Sequence, residues 1–264
     1  MVSRVALLSF IVLTFTWSWS LWLLSALIHS KSSMAAAVLS GAASFGPSLS
    51  AAAIVFYSVG RVEFRCWLQR CLQWRVGWRW MSLAFLLPLA VMSGVALGQL
   101  ALGGTLVYSP ARDHLLMAPA VFVGVFLAGG PLGEEFGWRG YALPALQKRY
   151  GWRVASLVIG AVWGFWHLPL FLLVGTTQSL TPVLVFMPMV VALSVLFAWL
   201  FNRTGHSVVP ALVLHTAFNG WAFLVPTLPS DGAQRPSEMA VGVFVLIALV
   251  LLFRADRAAA LRVR

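Results

Sequence analysis

The chain reads as an all-α, polytopic helical membrane protein with about eight transmembrane helices, N-in and C-in. Three observations lead there. Hydrophobic residues make up 61% of the 264 positions and charged residues only 9%, a balance that soluble domains do not show. Several apolar runs reach or approach the ~20 residues that a helix needs to cross about 30 Å of hydrocarbon. No segment alternates with the period of two that marks barrel strands, so the spanning elements are helices.

The first run, at about 5–28, is too long for the apolar region of a secretory signal and is not followed by an A-x-A site, so it is expected to stay as a helix. The others fall at about 35–60, 81–103, 115–147, 153–174, 181–201, 208–226 and 238–253. With Arg4 in the cytoplasm, Arg61, Arg65, Arg70, Arg75, Arg79, Lys148, Arg149, Arg153, Arg203 and the tail residues Arg254, Arg257, Arg262 and Arg264 share its side. Only Lys31, Arg112 and Arg235 fall opposite, which is the bias that orients membrane proteins. The expected organisation is one membrane domain in three stretches. Residues 1–114 hold the N-terminal helices, 115–226 a polar core, and 227–264 the last helix and a basic cytoplasmic tail.

Between the second and third runs, "RVEFRCWLQRCLQWRVGWRW" (61–80) interleaves arginines with Trp67, Trp74, Trp78 and Trp80, as a helix lying in the headgroup layer does. The net charge of +11 therefore serves topology and anionic headgroups, and no nucleic-acid partner is expected. Cys66 and Cys71 have no neighbouring His or second Cys pair, so neither a disulfide nor zinc is expected of them.

An ionisable side chain inside a membrane costs at least about 2.5–3.5 kcal/mol on insertion scales, so each needs a partner or a purpose. The fourth run carries Glu134, Glu135 and Arg139, the fifth His167, and the seventh His215 with Asn219. His29, His114 and His206 lie near helix ends and read as packing residues. At 1.5 Å per residue, Glu134 and His167 each lie about 21 Å from the cytoplasmic end of their helices, with His215 at about 12 Å and Asn219 at about 18 Å. With tilt these levels overlap in one pocket. Glu135 and Arg139, four apart, can pair and leave Glu134 pointing about 100° away; His215 and Asn219 point together. Gly129, Gly133 and Gly137, like Gly160 and Gly164, form ridges that let another backbone approach.

A carboxylate, two imidazoles and a carboxamide in apolar surroundings can activate water against an acyl group. Glu134 is the candidate general base, His167 shares the water, and His215 with Asn219 donates to a tetrahedral oxyanion. Alternatively, Glu134, His167 and His215 hold zinc with one position left for water. H-E-x-x-H is absent, and spacing alone leaves both arrangements open.

These residues also carry a resemblance. "EEFGWR" (Glu134, Glu135, Arg139), "WGFWH" (Trp163 to His167) and "HTAFN" (His215 to Asn219) are similar, in order, to the E-E-x-x-x-R, F-x-x-x-H and H-x-x-x-N motifs of the CPBP family. That group comprises CAAX prenyl endopeptidases and bacteriocin-processing or immunity proteins, and is also called Abi. The resemblance covers about 115–226 and implies a hydrolase of the intramembrane protease type, either a metalloprotease or a glutamate-type enzyme. Glu134, His167, His215 and Asn219 are then catalytic, and Glu135, Arg139 and Trp163 supporting. Trp163 stands where the pattern usually has Phe, a change expected to alter pocket shape more than chemistry. The implied substrate is a membrane-embedded or lipidated peptide, with no cofactor or with Zn; the arginine-rich, lysine-poor composition leads to the expectation of a bacterial plasma (inner) membrane. Two other classes fit a buried Glu/His set. A transporter or proton relay should show internal repeats, and none is found. A non-catalytic immunity or scaffold protein of the same fold retains the motifs without turnover.

Overall fold

In the computed structural model, residues 3–106, 116–128, 130–227 and 235–254 are described. Arg112, His114, Gly129, Arg257, Arg262 and Arg264 lie outside the described residues. Small hydroxyl residues bring the first helices together. In α1 (Arg4–Ile28), Ser18 donates to Ala43 O at 2.7 Å and Ser25 to Ala36 O at 2.8 Å. Both acceptors lie on α2 (Ser33–Ala43), so each hydroxyl finds its partner inside the bundle, where lipid offers none. The run expected at 35–60 is a bent pair. α2 and α3 (Gly46–Val59) meet at 44°, because Pro47 starts a new helix and Gly46 sits where any Cβ would strike Ser18 and Thr14.

α4 (Arg61–Cys71) follows Gly60, whose φ of 93° breaks the helix, and α5 (Trp78–Ala101) follows Gly77 at φ 88°. The basic stretch 61–80 is thus an 11-residue helix and a connector rather than one helix. Trp67 is buried in the core, and Trp80 packs edge-on against Trp199 at 5.5 Å, leaving Trp74 and Trp78 exposed.

The expected helix over 115–147 is divided. α6 (Ala118–Ala128) is separated from α7 (Pro131–Gly137) by Gly130 at φ 107° with Pro131 behind it, a combination that stops one helix and starts another. A π-turn, Trp138–Ala142, then feeds α8 (Leu143–Trp166). The break expected between 147 and 153 falls at Gly151, non-helical at φ 75° and ψ 163°, which kinks α8 into two parts. α8 ends at Trp166, short of the expected 174, and a 3-10 turn, Leu168–Leu172, with Pro169 continues from it. α9 (Val183–Arg203), α10 (Val209–Leu224) and α11 (Arg235–Phe253) complete the bundle.

By length and composition five helices among the described residues can cross a membrane, or six if the bent pair counts as one, while α6 and α10 are shorter and apolar. These helices point to an integral membrane protein. No strand occurs among the described residues. α8 packs on α9, α5 on α10, and α7 against the start of α3, which leaves the short helices α7 and α10 facing one another across the middle of the fold.

Candidate active site

α7 enters the core because it has almost no side-chain bulk on one face. A Cβ on Gly133 would lie 2.5 Å from Ser44 O, and one on Gly137 would strike the Pro47 backbone. Ser48 donates to Leu132 O at 3.0 Å. The expected glycine ridge is therefore present at Gly133 and Gly137, pressed on the α2–α3 bend. Gly160 and Gly164 likewise meet Val191, Ser194 and Met187 of α9.

With α7 held there, its two carboxylates diverge. Glu135, fully buried, accepts from Arg139 Nη1 at 3.0 Å and, through the same Oε1, from His215 Nδ1 at 2.8 Å. The expected ion pair with Arg139 exists; its link to His215, 80 residues away, is invisible to helical spacing. The Arg139 guanidinium lies in the angle between the Trp163 ring at 4.4 Å and the Phe197 ring at 4.3 Å, so aromatic faces offset the loss of water that one hydrogen bond cannot. Its Nε and Nη2 have no protein partner among the described residues.

Glu134 is 4% exposed. Its Oε2 accepts a short hydrogen bond from Trp163 Nε1, and its Oε1 lies against Gly130, where a Cβ would collide with it. This corrects the expectation for Trp163: the indole does more than reshape a pocket, because it supplies a donor that Phe lacks. Trp163 also accepts at its carbonyl from His167 Nδ1 at 2.7 Å and packs edge-on against both imidazoles at 5.6 Å. Both histidines thus have Nδ1 engaged, with a carbonyl for His167 and a carboxylate for His215, so Nε2 is the nitrogen left for other contacts.

Glu134, Trp163, His167, His215 and Asn219 line one cavity of about 770 Å³, within the range of sites that take sizeable ligands. Most of its wall is apolar, from Trp22, Met92, Leu193 and Phe218 among others, and hydroxyls of Thr176, Thr177 and Thr227 sit at its margin. The structure therefore brings together all four expected catalytic residues. Glu135 and Arg139 stand behind them, outside the cavity lining. Zinc fits this arrangement poorly. Among the described residues no group of three His, Cys, Asp or Glu side chains gathers as a metal requires.

Residues 116–221 match the family model for type II CAAX prenyl endopeptidases, Rce1-like. All three motifs lie inside that stretch, which supports the resemblance they carry. The chain is also similar to CAAX prenyl protease 2 of Methanococcus maripaludis, 32% identical over 92 residues, covering 33% of this chain and 34% of the relative. The chain thus spans about a third of the length of that curated relative.

Proposed function

We propose that this chain is a CAAX-protease-like intramembrane endopeptidase, which hydrolyses a peptide bond in a membrane-embedded or lipid-attached substrate without needing a metal. The reading rests on one observation above the others: Glu134, His167, His215 and Asn219 line one largely apolar cavity, inside the stretch that matches CAAX prenyl endopeptidases.

Water sits between the Oε1 of Glu134 and the Nε2 of His167. Glu134 takes its proton as the water oxygen attacks the scissile carbonyl carbon. His215, charge-balanced by Glu135 in its imidazolium form, donates from Nε2 to the developing oxyanion, and the Asn219 carboxamide donates beside it. When the tetrahedral species collapses, the C–N bond breaks and the proton on Glu134 passes to the leaving amine. The bond count closes with one water consumed and no external acid. Trp163 fixes the plane of Glu134 through Oε2. Apolar walls keep bulk water from competing and favour a substrate segment that is itself apolar. The apolar helices support a reaction within a membrane, and the arginine-rich, lysine-poor composition supports a bacterial plasma membrane.

The test compares protein termini in membranes from cells carrying the parent chain or Glu134→Gln at equal expression. New termini seen only with the parent support proteolysis and identify the substrate. Identical termini, with any associated phenotype intact in the variant, would replace this reading with a non-catalytic immunity or scaffold role.

A further inference from the structure

α4 and the connector after it carry charge that the cavity around Glu134 does not use. Cys66, Gln69 and Arg70 fall at i, i+3 and i+4 on α4, one stripe in helical spacing, and Gln73 follows on the connector. With Trp74 and Arg75 they line a separate cavity of about 550 Å³ that has no carboxylate in its wall. Arg70 and Arg75 are exposed, and neither has an ion pair among the described residues. The Arg75 guanidinium lies 5.4 Å over the Trp74 ring.

The opposite face of α4 is clamped to the core. Trp67 Nε1 donates to Gly140 O at 3.0 Å, the buried Cys71 sulfur lies against Gly140, and Ser207 Oγ donates to the Gln73 carbonyl. The arginine-bearing stripe is therefore presented outward by a rigid support. Trp74 and Trp78, 69% and 73% exposed, flank it at the start of an apolar spanning helix, the level at which indole rings meet lipid headgroups.

Two guanidinium forks and two carboxamides offer donors suited to phosphate oxygens. Two exposed indoles beside them offer contact to glycerol and acyl carbons. We propose that this cavity binds the phosphodiester headgroup of an anionic phospholipid in the leaflet on which α4 lies. A soluble phosphate ester shares the oxygens but leaves both indoles uncovered.

Native mass spectrometry of the full-length protein released from detergent tests the site, with phosphatidylglycerol, phosphatidylcholine or glycerol phosphate titrated in turn. Phosphatidylglycerol should be retained where phosphatidylcholine is lost. Arg70→Gln with Arg75→Gln should weaken that retention about 25-fold, roughly fivefold per arginine. Arg61→Gln with Arg65→Gln removes the same charge from the same helix outside the cavity, and should change it less than about threefold. All four arginines are exposed, so thermal midpoints in neutral detergent should match the parent. Equal losses in the two double variants would overturn the site in favour of diffuse attraction. Displacement by glycerol phosphate at equal concentration would overturn the lipid assignment, and equal retention of phosphatidylcholine would overturn the charge argument.

Discussion

Removing either partner of the Glu135–Arg139 pair should destabilise the fold, whereas removing both should not. The two side chains are fully buried and joined at 3.0 Å. Breaking such a pair leaves an uncompensated buried charge and costs about 3–5 kcal/mol. Here the lower end applies to both single changes, because each survivor keeps some company. In Glu135→Leu the guanidinium still lies against Trp163 and Phe197; in Arg139→Met the carboxylate still meets His215. About 3 kcal/mol each is expected, roughly a 150-fold shift in the folded-to-unfolded ratio. The double variant should lie within about 2 kcal/mol of the parent, not at the ~6 kcal/mol that two independent losses would give. Unfolding by titration from mild into denaturing detergent measures this. Peptide cleavage by the same samples should nevertheless stay at least about 100-fold down in the double variant, since His215 has lost the carboxylate that orients it. A double variant no more stable than either single one, or one that regains cleavage, would refute the reasoning.

Trp163→Phe keeps a ring between Glu134 and the two imidazoles but deletes the indole donor; kcat should fall about tenfold with KM within about twofold, read from initial rates. Gly133→Ala forces a methyl group against the Ser44 carbonyl and should cost about 1–3 kcal/mol, while Gly41→Ala meets open space and should be close to neutral. Thermal midpoints distinguish the two. Burial pushes the Cys71 thiol up to about 12, so it stays protonated through the neutral range, whereas Cys66 is exposed. A maleimide at mild pH should label Cys66 alone, and Cys71 only after denaturation, counted by intact mass.

Membrane helices and the three polar motifs were legible in the sequence for a common reason. Lipid tolerates few charged or hydrogen-bonding groups, so Glu134, Glu135, Arg139, His167, His215 and Asn219 stand out against leucine and phenylalanine. Same-helix pairings such as Glu135 with Arg139 follow from a spacing of four. What spacing cannot carry is contact between helices. The bond from Trp163 to Glu134 and that from His215 to Glu135 depend on how α7, α8 and α10 pack, and nothing local to "WGFWH" or "HTAFN" specifies it. Helix boundaries were misplaced for a different reason. Gly130 sits inside an apolar run, and only its positive φ reveals a break there. The π-turn leaves no mark in hydropathy because it changes the winding and not the composition.

That π-turn makes the chain unusually sensitive to one kind of genetic change. A wide turn amounts to one surplus residue threaded into an α-helix. Deleting a single codon within Trp138–Ala142 would restore ordinary winding without removing any group named in the chemistry, provided Arg139 were spared. Yet the helix from there to the break at Gly151 would rotate by about 100° and slide about 1.5 Å relative to Glu135. Gly140 would leave the indole of Trp67, and the segment beyond Gly151 that carries Trp163 and His167 would have to be re-seated against α7. Substitutions across this stretch are local injuries, whereas an in-frame loss of three nucleotides re-indexes half of the site against the other half.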